Sequence, residues 1–550
     1  MSIPNQRVLI VGGVAGGASA AARLRRLDET AEILIFDRGP YVSFANCGLP
    51  YFVGDVIVDE SKLLVATPQL FHDRFAIEVR TEHEVTSIER ENRTIVVKDL
   101  RSGKIHRERY DTLVLAPGAS AIRPPFPGVD LPGIFSVRTI PDSRRVRAWI
   151  SDKDAKRAVV VGGGFIGLEM AENLAHRGLT VTIVERAEQV MPPLDPEMAF
   201  IVEEQLRAKG VEVRLGEGVA SFTEVDGHLV VRTDKDATID TDLVILAIGV
   251  KPETGLARNA GLEIGASGGI AVDEQMCTSD PSIFAVGDAV ETVDWVTGLK
   301  QVVPLAGPAN RQGRIAADAI AGRASRFRGV QGTAVCGAFG LTIASTGASE
   351  KLLRRAGVED FESIYLHPGH HVGYYPGAKA IHLKVIFRRR DGRLLGAQAV
   401  GEDGTEKRID VLATAIQLGA TVHDLAEVEL CYAPQFGAAK DPVNLAGFIA
   451  ENIQSGDLPV DSWGTMGTAI LLDVRDRHEV AAGHAPGATN IPLHELRARH
   501  TELPKEEPIQ VMCAVGQRAY YAVRLLRQLG YDARYLSGGY RTWRTMHHGG

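Results

Sequence analysis

The sequence predicts a multidomain α/β protein with two Rossmann-like domains and a separate C-terminal α/β domain. Three observations predict this fold class. The chain has 550 residues, too many for one hydrophobic core and enough for roughly three to five domains. Two glycine-rich turns each stand between an apolar strand and a helix-prone segment. Near residue 455 a linker-like stretch appears, after which strand and helix patterns resume.

Composition excludes several classes of protein. Apolar residues make up 45% of the chain and charged residues 24%, and the net charge of -8 shows no basic excess, so we expect no nucleic-acid partner. No apolar run is long enough for a membrane span, and the N-terminus leads directly into an apolar strand, so we expect a cytoplasmic protein with no membrane partner. The five cysteines are scattered, which argues against disulfides and against a metal site. Any functional cysteine is therefore expected to be a reactive thiol.

The first element is a strand at residues 7–11, followed by a glycine turn and a predicted helix at 18–27. Glycines let the backbone approach a pyrophosphate, whose charge the helix N-terminus stabilises. A second strand, 32–36, ends at Asp37, where a carboxylate can accept ribose hydroxyls. The middle glycine of the G-x-G-x-x-G pattern is replaced by Val14, so ordinary glycine turns remain an alternative. The candidate contacts of this first dinucleotide are Gly12, Gly13, Ala15, Gly16, Gly17, Asp37, Arg38 and Ser43.

A second unit of the same kind begins at Arg157, with a strand at 158–161, a glycine turn and a predicted helix at 168–177. Its G-x-G-x-x-G pattern is complete. The next strand, 180–184, ends at Glu185, which favours NADH over NADPH because a carboxylate there suits an unphosphorylated ribose; the neighbouring Arg186 weakens this inference. The candidate contacts of the second dinucleotide are Gly162, Gly164, Gly167 and Glu185.

Three further segments carry a family resemblance. Residues 278–288, ending in Val286-Gly287-Asp288, resemble the second flavin fingerprint of the flavoproteins that bind two dinucleotides. Residues 115–118 and 246–249 resemble the chain crossings between the FAD and NAD domains of that family. The resemblance implies that Asp288 holds the ribityl chain of FAD, and it adds Ala116, Gly118, Gly249 and Gly287 to the candidate FAD contacts.

The segment Tyr41 to Tyr51 contains Cys47, whose nearest neighbouring cysteine in sequence is Cys277. Without a nearby partner thiol, the redox partner of Cys47 must be oxygen, as a sulfenic acid, or an external thiol, as a mixed disulfide. Residues 43–51 closely resemble the active-site segment of the single-cysteine flavoprotein branch, which includes NADH peroxidases, NADH oxidases and coenzyme A-disulfide reductases. The resemblance implies that the Cys47 thiol faces the flavin. Fold alone does not separate these three activities.

Other residues favour the third activity. In the resembling family the peroxidases and oxidases carry a histidine in the first glycine turn, and this chain has none there. The first helix carries several arginines, which would suit the phosphates of coenzyme A, although a solvated surface explains such a cluster equally well. The resemblance further implies that Tyr374 and Tyr432 of a partner subunit donate hydrogen bonds to the departing thiolate; core packing is the alternative, and Tyr375 competes with Tyr374. The candidate substrate contacts are Ser19, Arg23, Arg26, Ser43, Asn46 and Lys440.

The C-terminal run from Asp473 to Pro492 resembles the rhodanese domain. Further on, the strand 509–512 ends in Cys513, followed by a glycine-containing loop and a helix. Backbone amides and a helix N-terminus around such a cysteine would hold an anionic persulfide. Arg518 closes the loop as in the resembling family. Ala514 stands where an arginine is common, which puts thiosulfate transfer in doubt.

Together these resemblances, which cover nearly the whole chain, imply a homodimeric reductase of coenzyme A disulfide, coenzyme A persulfide or polysulfide. It would use FAD and NADH, or NADPH, with Cys47 as the redox thiol, Cys513 handling sulfane sulfur and sulfide as product. The alternatives are an NADH oxidase that reduces oxygen through a Cys47 sulfenate, and a redox sensor without turnover. We expect packing roles for Cys277, Cys336 and Cys431. The resemblance implies an FAD-binding domain at 1–115 and 245–325, an NAD(P)H-binding domain at 116–244 and an α+β dimerisation domain at 326–455. A linker at 456–466 and an α/β rhodanese domain at 467–550 would follow.

Overall fold

The computed structural model describes residues 6–461, 463 and 469–547. Contacts group the chain into two units: Met1–Glu188 with Gly210–Val330, and Gln189–Lys209 with Gln331–Gly550. The predicted linker at 456–466 lies partly outside the described residues, at positions 462 and 464–466. Among the described residues, no helix combines the length and the apolar character that crossing a membrane would require.

The first unit opens with a five-stranded parallel sheet. In spatial order its strands are Ile283–Ala285, Thr112–Leu115, Arg7–Val11, Glu32–Asp37 and Glu78–Thr81. The central strands are aliphatic on both faces and are buried on both, as is usual for parallel sheets. The flanking helices are Ala15–Arg25, Leu49–Val53, Pro68–Phe75, Gly255–Asn259 and Ala306–Ile320. The first helix begins at Ala15 rather than at the predicted residue 18. Its first turn contains Gly16 and Gly17, and because glycine is a poor helix former the sequence predicted a later start.

A second parallel sheet follows in the same unit, with strands Glu212–Arg214, Thr180–Val184, Arg157–Val161, Leu243–Leu246 and Ile134–Phe135. Helices Ile140–Asp152 and Phe165–His176 accompany it, and a capping box at Thr139 and Asp142 starts the former. Two antiparallel three-stranded sheets complete the pattern: His83–Glu89, Thr94–Asp99 and Ile105–Arg109, then Val219–Val225, His228–Thr233 and Thr238–Thr241. Short strand pairs join Ala119–Ala121 to Val250–Pro252 and Thr292–Val293 to Lys300–Gln301.

The second unit contains an antiparallel sheet and then a parallel one. The antiparallel strands are Ala334–Ala338, Leu341–Gly347, Leu394–Gly401, Ile381–Phe387 and Glu362–Leu366, with helices Glu350–Arg355, Thr405–Leu418, Val422–Glu427 and Pro442–Gln454. The parallel strands are Val460–Asp461, Ala533–Leu536, Ile509–Met512, Ile470–Asp473 and Thr489–Asn490, with helices Arg477–Ala481, Leu493–Arg499, Gln517–Gln528 and Gly539–Met546. Two parallel five-stranded sheets, an α+β region and a C-terminal α/β region match the predicted fold class.

Helix Pro196–Ala208 belongs to the second unit, although it lies in sequence between strands of the second parallel sheet. Lys384 connects this helix to the antiparallel sheet, because its ammonium contacts Asp195 at 2.8 Å, Glu197 at 2.6 Å and Glu350 at 2.8 Å. The three carboxylates would otherwise be close enough together to bind a metal ion. The ammonium of Lys384 provides a counter-charge to all three of them.

Polar contacts also join the antiparallel sheet to the C-terminal region within the second unit. The backbone N–H of Tyr365 donates to Ser537 at 2.9 Å, and Nε2 of His367 lies 2.8 Å from the hydroxyl of Thr542. Arg544 contacts Glu204 at 2.9 Å. The strand Glu362–Leu366 and helix Pro196–Ala208 therefore both contact the C-terminal region.

Candidate functional site

The first glycine turn is built for close approach of backbone to backbone. Gly12 has φ +94°, and a Cβ on it would lie 2.1 Å from the carbonyl oxygen of Ala116, while a Cβ on Gly17 would lie 1.9 Å from the oxygen of Gly12. Only glycine fits at either position. The resulting turn leads into the N-terminus of helix Ala15–Arg25, where free amides can bind a phosphate.

Asp37 stands at the end of the second strand, as predicted. Its carboxylate accepts hydrogen bonds from the N–H of Gly13 at 2.9 Å and of Gly39 at 2.8 Å, and burial raises its pKa. Ser43 closes the other side of the turn, with its N–H donating to the oxygen of Gly13 at 2.8 Å. Arg38 points away to Glu253, at 3.6 Å. The acid is thus held beside the glycine turn by the turn's own amide.

The second turn repeats this construction. Gly162 has φ +107°, and a Cβ on Gly167 would lie 1.9 Å from the oxygen of Gly162. Gly164 has open space beside it, where a ligand can approach the backbone. Glu185 accepts from the N–H of Gly163 at 2.7 Å and of Ala187 at 2.8 Å. Both predicted acids therefore share one geometry, each bridging its glycine turn and the segment after the second strand.

The predicted flavin fingerprint ends in a short turn, Gly287–Ala289, that contains Asp288. Arg138 donates to Asp288 at 2.8 Å and to the carbonyl oxygen of Ala119 at 2.9 Å, and Gln312 accepts from the N–H of Gly287 at 2.8 Å. The predicted crossings at Gly118 and Gly249 both have positive φ, +74° and +103°. Sequence reasoning missed Arg138, because its only signal was a Thr-capped helix start nearby.

Cys47 lies in the single helical turn Asn46–Gly48, immediately before helix Leu49–Val53. It is a free thiol in an exposed residue, and the Asn46 amide donates to the carbonyl oxygen of Arg138 at 3.3 Å. Although the residue is exposed overall, atoms packed near its sulfur desolvate the thiol and raise its pKa, and the charge of Glu169 raises the pKa further. Arg138 opposes this shift.

Glu169, on helix Phe165–His176, is a second residue that sequence reasoning missed. Desolvation and the charge of Glu172 raise its pKa to about 7, while the hydroxyl of Tyr51, 3.5 Å away, acts in the opposite direction. Its carboxyl group therefore titrates near neutral pH beside the segment that contains Cys47. The sequence did carry one sign of Glu169. It lies two residues after Gly167, near the start of the helix that follows the second glycine turn.

The arginine cluster of the first helix divides into three environments. Arg23 pairs with Asp318 at 2.8 Å, and Arg25 is buried, donating to carbonyl oxygens of Phe75 and Ala76. Arg26 is exposed. Ser19 donates to Asn310 at 2.5 Å. Of the predicted phosphate contacts on this helix, Arg26 keeps its guanidinium open to solvent, whereas Arg23 carries a structural ion pair.

In the second unit, the hydroxyls of Tyr374 and Tyr432 lie 2.8 Å apart and both rings are exposed. Tyr375 instead packs edge-on against His371, with ring centroids 5.5 Å apart. Lys440 is exposed. Exposure argues against core packing as the role of Tyr374 and Tyr432.

The other cysteines differ in their burial. Cys336 is buried, whereas Cys431 is exposed in this chain. The expected packing role therefore does not describe Cys431.

Cys513 follows the strand Ile509–Met512 and is 1% exposed. Its sulfur accepts a hydrogen bond from the N–H of Gly516 at 3.2 Å, and helix Gln517–Gln528 begins one residue later. Gly516 has φ +104° and a Cβ there would lie 2.2 Å from the Tyr535 hydroxyl. Arg518 makes two hydrogen bonds to Glu479, at 2.6 and 2.7 Å. The loop thus places the Gly516 amide against the sulfur, and Arg518 is held by Glu479 rather than left free.

Comparison with known proteins identifies these parts. Residues 6–313 match the family model described as pyridine nucleotide-disulphide oxidoreductase, residues 333–441 match the dimerisation domain of that family, and residues 460–546 match the rhodanese-like domain. The chain belongs to the pyridine nucleotide-disulphide oxidoreductases, a family that implies FAD and NAD(H) as cofactors. It is therefore an oxidoreductase with an added rhodanese domain.

Three relatives refine this class. The chain is 37% identical over 446 residues to a coenzyme A disulfide reductase of Staphylococcus epidermidis, covering 81% of this chain and 100% of that protein. It is similar to the crystal structure of reduced Bacillus anthracis CoADR-RHD, with TM-score 0.97, 45% identity and 99% of each chain covered. It is also similar to an NAD-dependent persulfide reductase from A. fulgidus, with TM-score 0.91, 37% identity, and 98% and 100% covered. The predicted resemblance is confirmed.

Proposed function

We propose that the chain is an FAD-dependent, NAD(P)H-driven reductase of coenzyme A disulfide, coenzyme A persulfide or polysulfide, with Cys47 as its single redox thiol. The observation that carries this proposal is the environment of Cys47. It is a free, exposed thiol beside Arg138 and the Asp288 turn, and no second cysteine stands in its segment. Its oxidised form therefore needs a partner from outside its own segment, which is a sulfur compound in this proposal and oxygen in the alternative.

The chain's residues fit both cofactors. The first glycine turn, Asp37 and the Asp288 turn would hold FAD, and Ala116, Gly118 and Gly249 would allow the backbone to pass close to it. The second glycine turn and Glu185 would hold the nicotinamide dinucleotide, and a carboxylate there supports NADH rather than NADPH. When bound, the cofactor pair supplies a hydride's two electrons to the sulfur on Cys47.

Cys47 performs the sulfur chemistry. With coenzyme A disulfide, its thiolate attacks one sulfur, so that a Cys47–coenzyme A disulfide forms and one coenzyme A thiolate leaves. Two electrons then cleave that disulfide, releasing the second coenzyme A thiolate and regenerating the Cys47 thiolate. With coenzyme A persulfide, the thiolate attacks the terminal sulfur, coenzyme A leaves as the thiol, and two electrons release this sulfur as sulfide.

Other side chains would bind the substrate and the leaving group. Ser19, Arg23, Arg26, Ser43 and Asn46 are proposed contacts of coenzyme A, of which Arg26 is the arginine without a structural ion pair. Tyr374 and Tyr432, with Lys440, would act on the Cys47 site of the partner subunit in a homodimer. Their exposed, mutually hydrogen-bonded hydroxyls support a donor role toward a leaving thiolate. A cytoplasmic location stays a prediction.

The rhodanese loop would receive or deliver sulfane sulfur at Cys513. An amide already 3.2 Å from its sulfur, together with the helix N-terminus, would stabilise the anionic persulfide. Arg518 would maintain the loop through Glu479 and add positive charge beside it. Because Ala514 leaves the loop without a second arginine, we propose a persulfide-type donor rather than thiosulfate.

Steady-state oxidation of NADH tests the proposal. Coenzyme A disulfide, coenzyme A persulfide, polysulfide and oxygen are offered as acceptors to the parent protein, Cys47→Ser and Cys513→Ser, with Cys277→Ser as a matched thiol control. We expect Cys47→Ser to abolish turnover with every sulfur acceptor and Cys277→Ser to leave it unchanged. Full activity of Cys47→Ser with a sulfur acceptor would refute the mechanism, and oxygen as the preferred acceptor would instead support an NADH oxidase.

A further inference from the structure

Two arginines of the first unit, Arg311 and Arg328, lie near each other without a carboxylate partner. Arg311, on helix Ala306–Ile320, reaches the ring of Phe327, the residue before Arg328. Desolvation lowers the pKa of Arg311, and the nearby charge of Arg328 lowers it further. Within residues 6–461, 463 and 469–547, neither arginine makes an ion pair with a carboxylate, and the remaining positions of the chain contain no Asp or Glu. The two positive charges repel each other, and an anion that bound to both guanidinium groups would offset this repulsion.

Aromatic rings hold both guanidinium groups in place. The guanidinium carbon of Arg311 lies 5.5 Å from the ring centroid of Phe327, and that of Arg328 lies 5.4 Å from the ring centroid of Trp295. Phe327 is buried in the same apolar core as residues of the first helix. Cation–π contacts fix the direction of each guanidinium while both arginines remain exposed. The pair is therefore oriented in advance and open to a ligand.

The pair also lies beside residues already proposed to contact the substrate. Asn310, next to Arg311, accepts the hydrogen bond from Ser19. A Cβ on Gly313 would lie 2.2 Å from the oxygen of Gly16, so this part of helix Ala306–Ile320 packs directly on the first helix. Arg311 thus extends the surface that begins at Ser19 on the first helix.

We propose that Arg311 and Arg328 bind the phosphomonoester group of a coenzyme A-type substrate. A phosphomonoester carries close to two negative charges at neutral pH and offers three acceptor oxygens, which matches two guanidinium groups better than the singly charged phosphates of a diphosphate bridge. This inference rests on the proposed function, because it names the end of the substrate that lies farthest from the reacting sulfur.

The test compares coenzyme A with 3′-dephospho-coenzyme A, which lacks only the phosphomonoester. Calorimetry on full-length, flavin-loaded Cys47→Ser protein gives the Kd of each ligand without disulfide formation. We expect the parent to prefer coenzyme A, and Arg311→Gln and Arg328→Gln each to weaken coenzyme A binding about 10-fold while leaving dephospho-coenzyme A unchanged. Arg326→Gln is the matched control, because this neighbouring exposed arginine is paired with Glu274 at 3.1 Å.

Equal affinity of the parent for both ligands, or failure of coenzyme A to bind it, would overturn the inference without any variant being needed. Unchanged coenzyme A affinity in the double variant would overturn it too. Turnover of coenzyme A disulfide is measured separately with Cys47 intact. If coenzyme A disulfide is turned over but coenzyme A and dephospho-coenzyme A bind equally well, only the phosphate site is refuted. If coenzyme A binds more tightly than dephospho-coenzyme A but no turnover is seen, only the proposed function is refuted.

Discussion

Replacing Lys384 with methionine should destabilise the second unit strongly. The side chain is 1% exposed, and its ammonium is the common partner of Asp195, Glu197 and Glu350. Removing one member of a buried charge cluster typically costs about 3–5 kcal/mol, because the remaining charges lose their partner. Other donors compensate in part: Gln398 donates to Asp195 at 2.7 Å, and the hydroxyl of Tyr365 donates to Glu197 at 2.8 Å. We therefore expect a loss of about 3 kcal/mol, at the lower end of this range.

The pH dependence distinguishes this mechanism from simple loss of packing. Lys384 lowers the pKa of Asp195 and Glu350 in the folded parent. Their pairing therefore stabilises the parent above the unfolded pKa of a carboxyl group, and this contribution is lost as the pH falls through the lowered values. In Lys384→Met the unpaired carboxyls have raised pKa values and become easier to bury once protonated. The stability difference between the two proteins should therefore narrow on acidification.

The assay is urea unfolding of the full chain at pH 8 and at pH 5, followed by a probe in the second unit. Because several domains are present, the transition assigned to that unit is compared rather than one global free energy. Lys351→Met is the control, since Lys351 is exposed and its ammonium contacts Gln189 at 3.0 Å and the oxygen of Pro192 at 3.0 Å, while its bond to Asp195 comes from the backbone N–H and is kept in the variant. We expect this substitution to cost less than about 1 kcal/mol. An equal loss at both pH values for Lys384→Met would refute the electrostatic argument.

Three further outcomes are expected. Glu169 ionises near pH 7, and its charge raises the pKa of Cys47. The rate at which iodoacetamide alkylates Cys47 should therefore rise more steeply above pH 7 in Glu169→Gln than in the parent. Parallel pH profiles of the two proteins would contradict this. Glu185→Ala should raise the KM for NADH about 10-fold and leave that for NADPH nearly unchanged, and an unaltered ratio would remove Glu185 from the ribose site. Gly516→Ala should abolish sulfur transfer from Cys513 and lower the Tm of the rhodanese transition, because it forces φ +104° on alanine and a contact at 2.2 Å with Tyr535; wild-type transfer would show that the loop tolerates rearrangement.

The sequence predicted features that local chain geometry imposes. Each glycine turn needs glycine for its own backbone approach, so Gly12 and Gly162 were visible as spacing within one strand–turn–helix unit. Asp37 and Glu185 followed from the same unit, because the second strand ends at the turn. Cys47 was recognisable from the residues directly around it.

Contacts between distant parts of the chain were not predictable in this way. Arg138 meets Asp288 across 150 positions, and Arg23 meets Asp318 across 295 positions. Neither pairing leaves a periodic pattern in the sequence. The sequence therefore could not show which arginine of the first helix forms an ion pair, as Arg23 does, and which stays open to solvent, as Arg26 does. Helix Pro196–Ala208 pairs through Glu197 with Lys384, which lies far along the chain. These contacts are long-range pairings of charged groups, which local propensity does not reveal.

The hydrogen bond from the Tyr365 backbone to Ser537 limits how freely the C-terminal domain can be removed or exchanged. A chain that stopped near residue 455 would leave this buried N–H, and the His367 ring beside Thr542, facing water or an unsuited neighbour. Grafting the domain onto another reductase would meet the reverse difficulty, because Ser537 and Thr542 would lack their counterparts. The rhodanese domain is thus fitted to the rest of the second unit by these polar contacts, so that exchanging it would require matching changes on both sides.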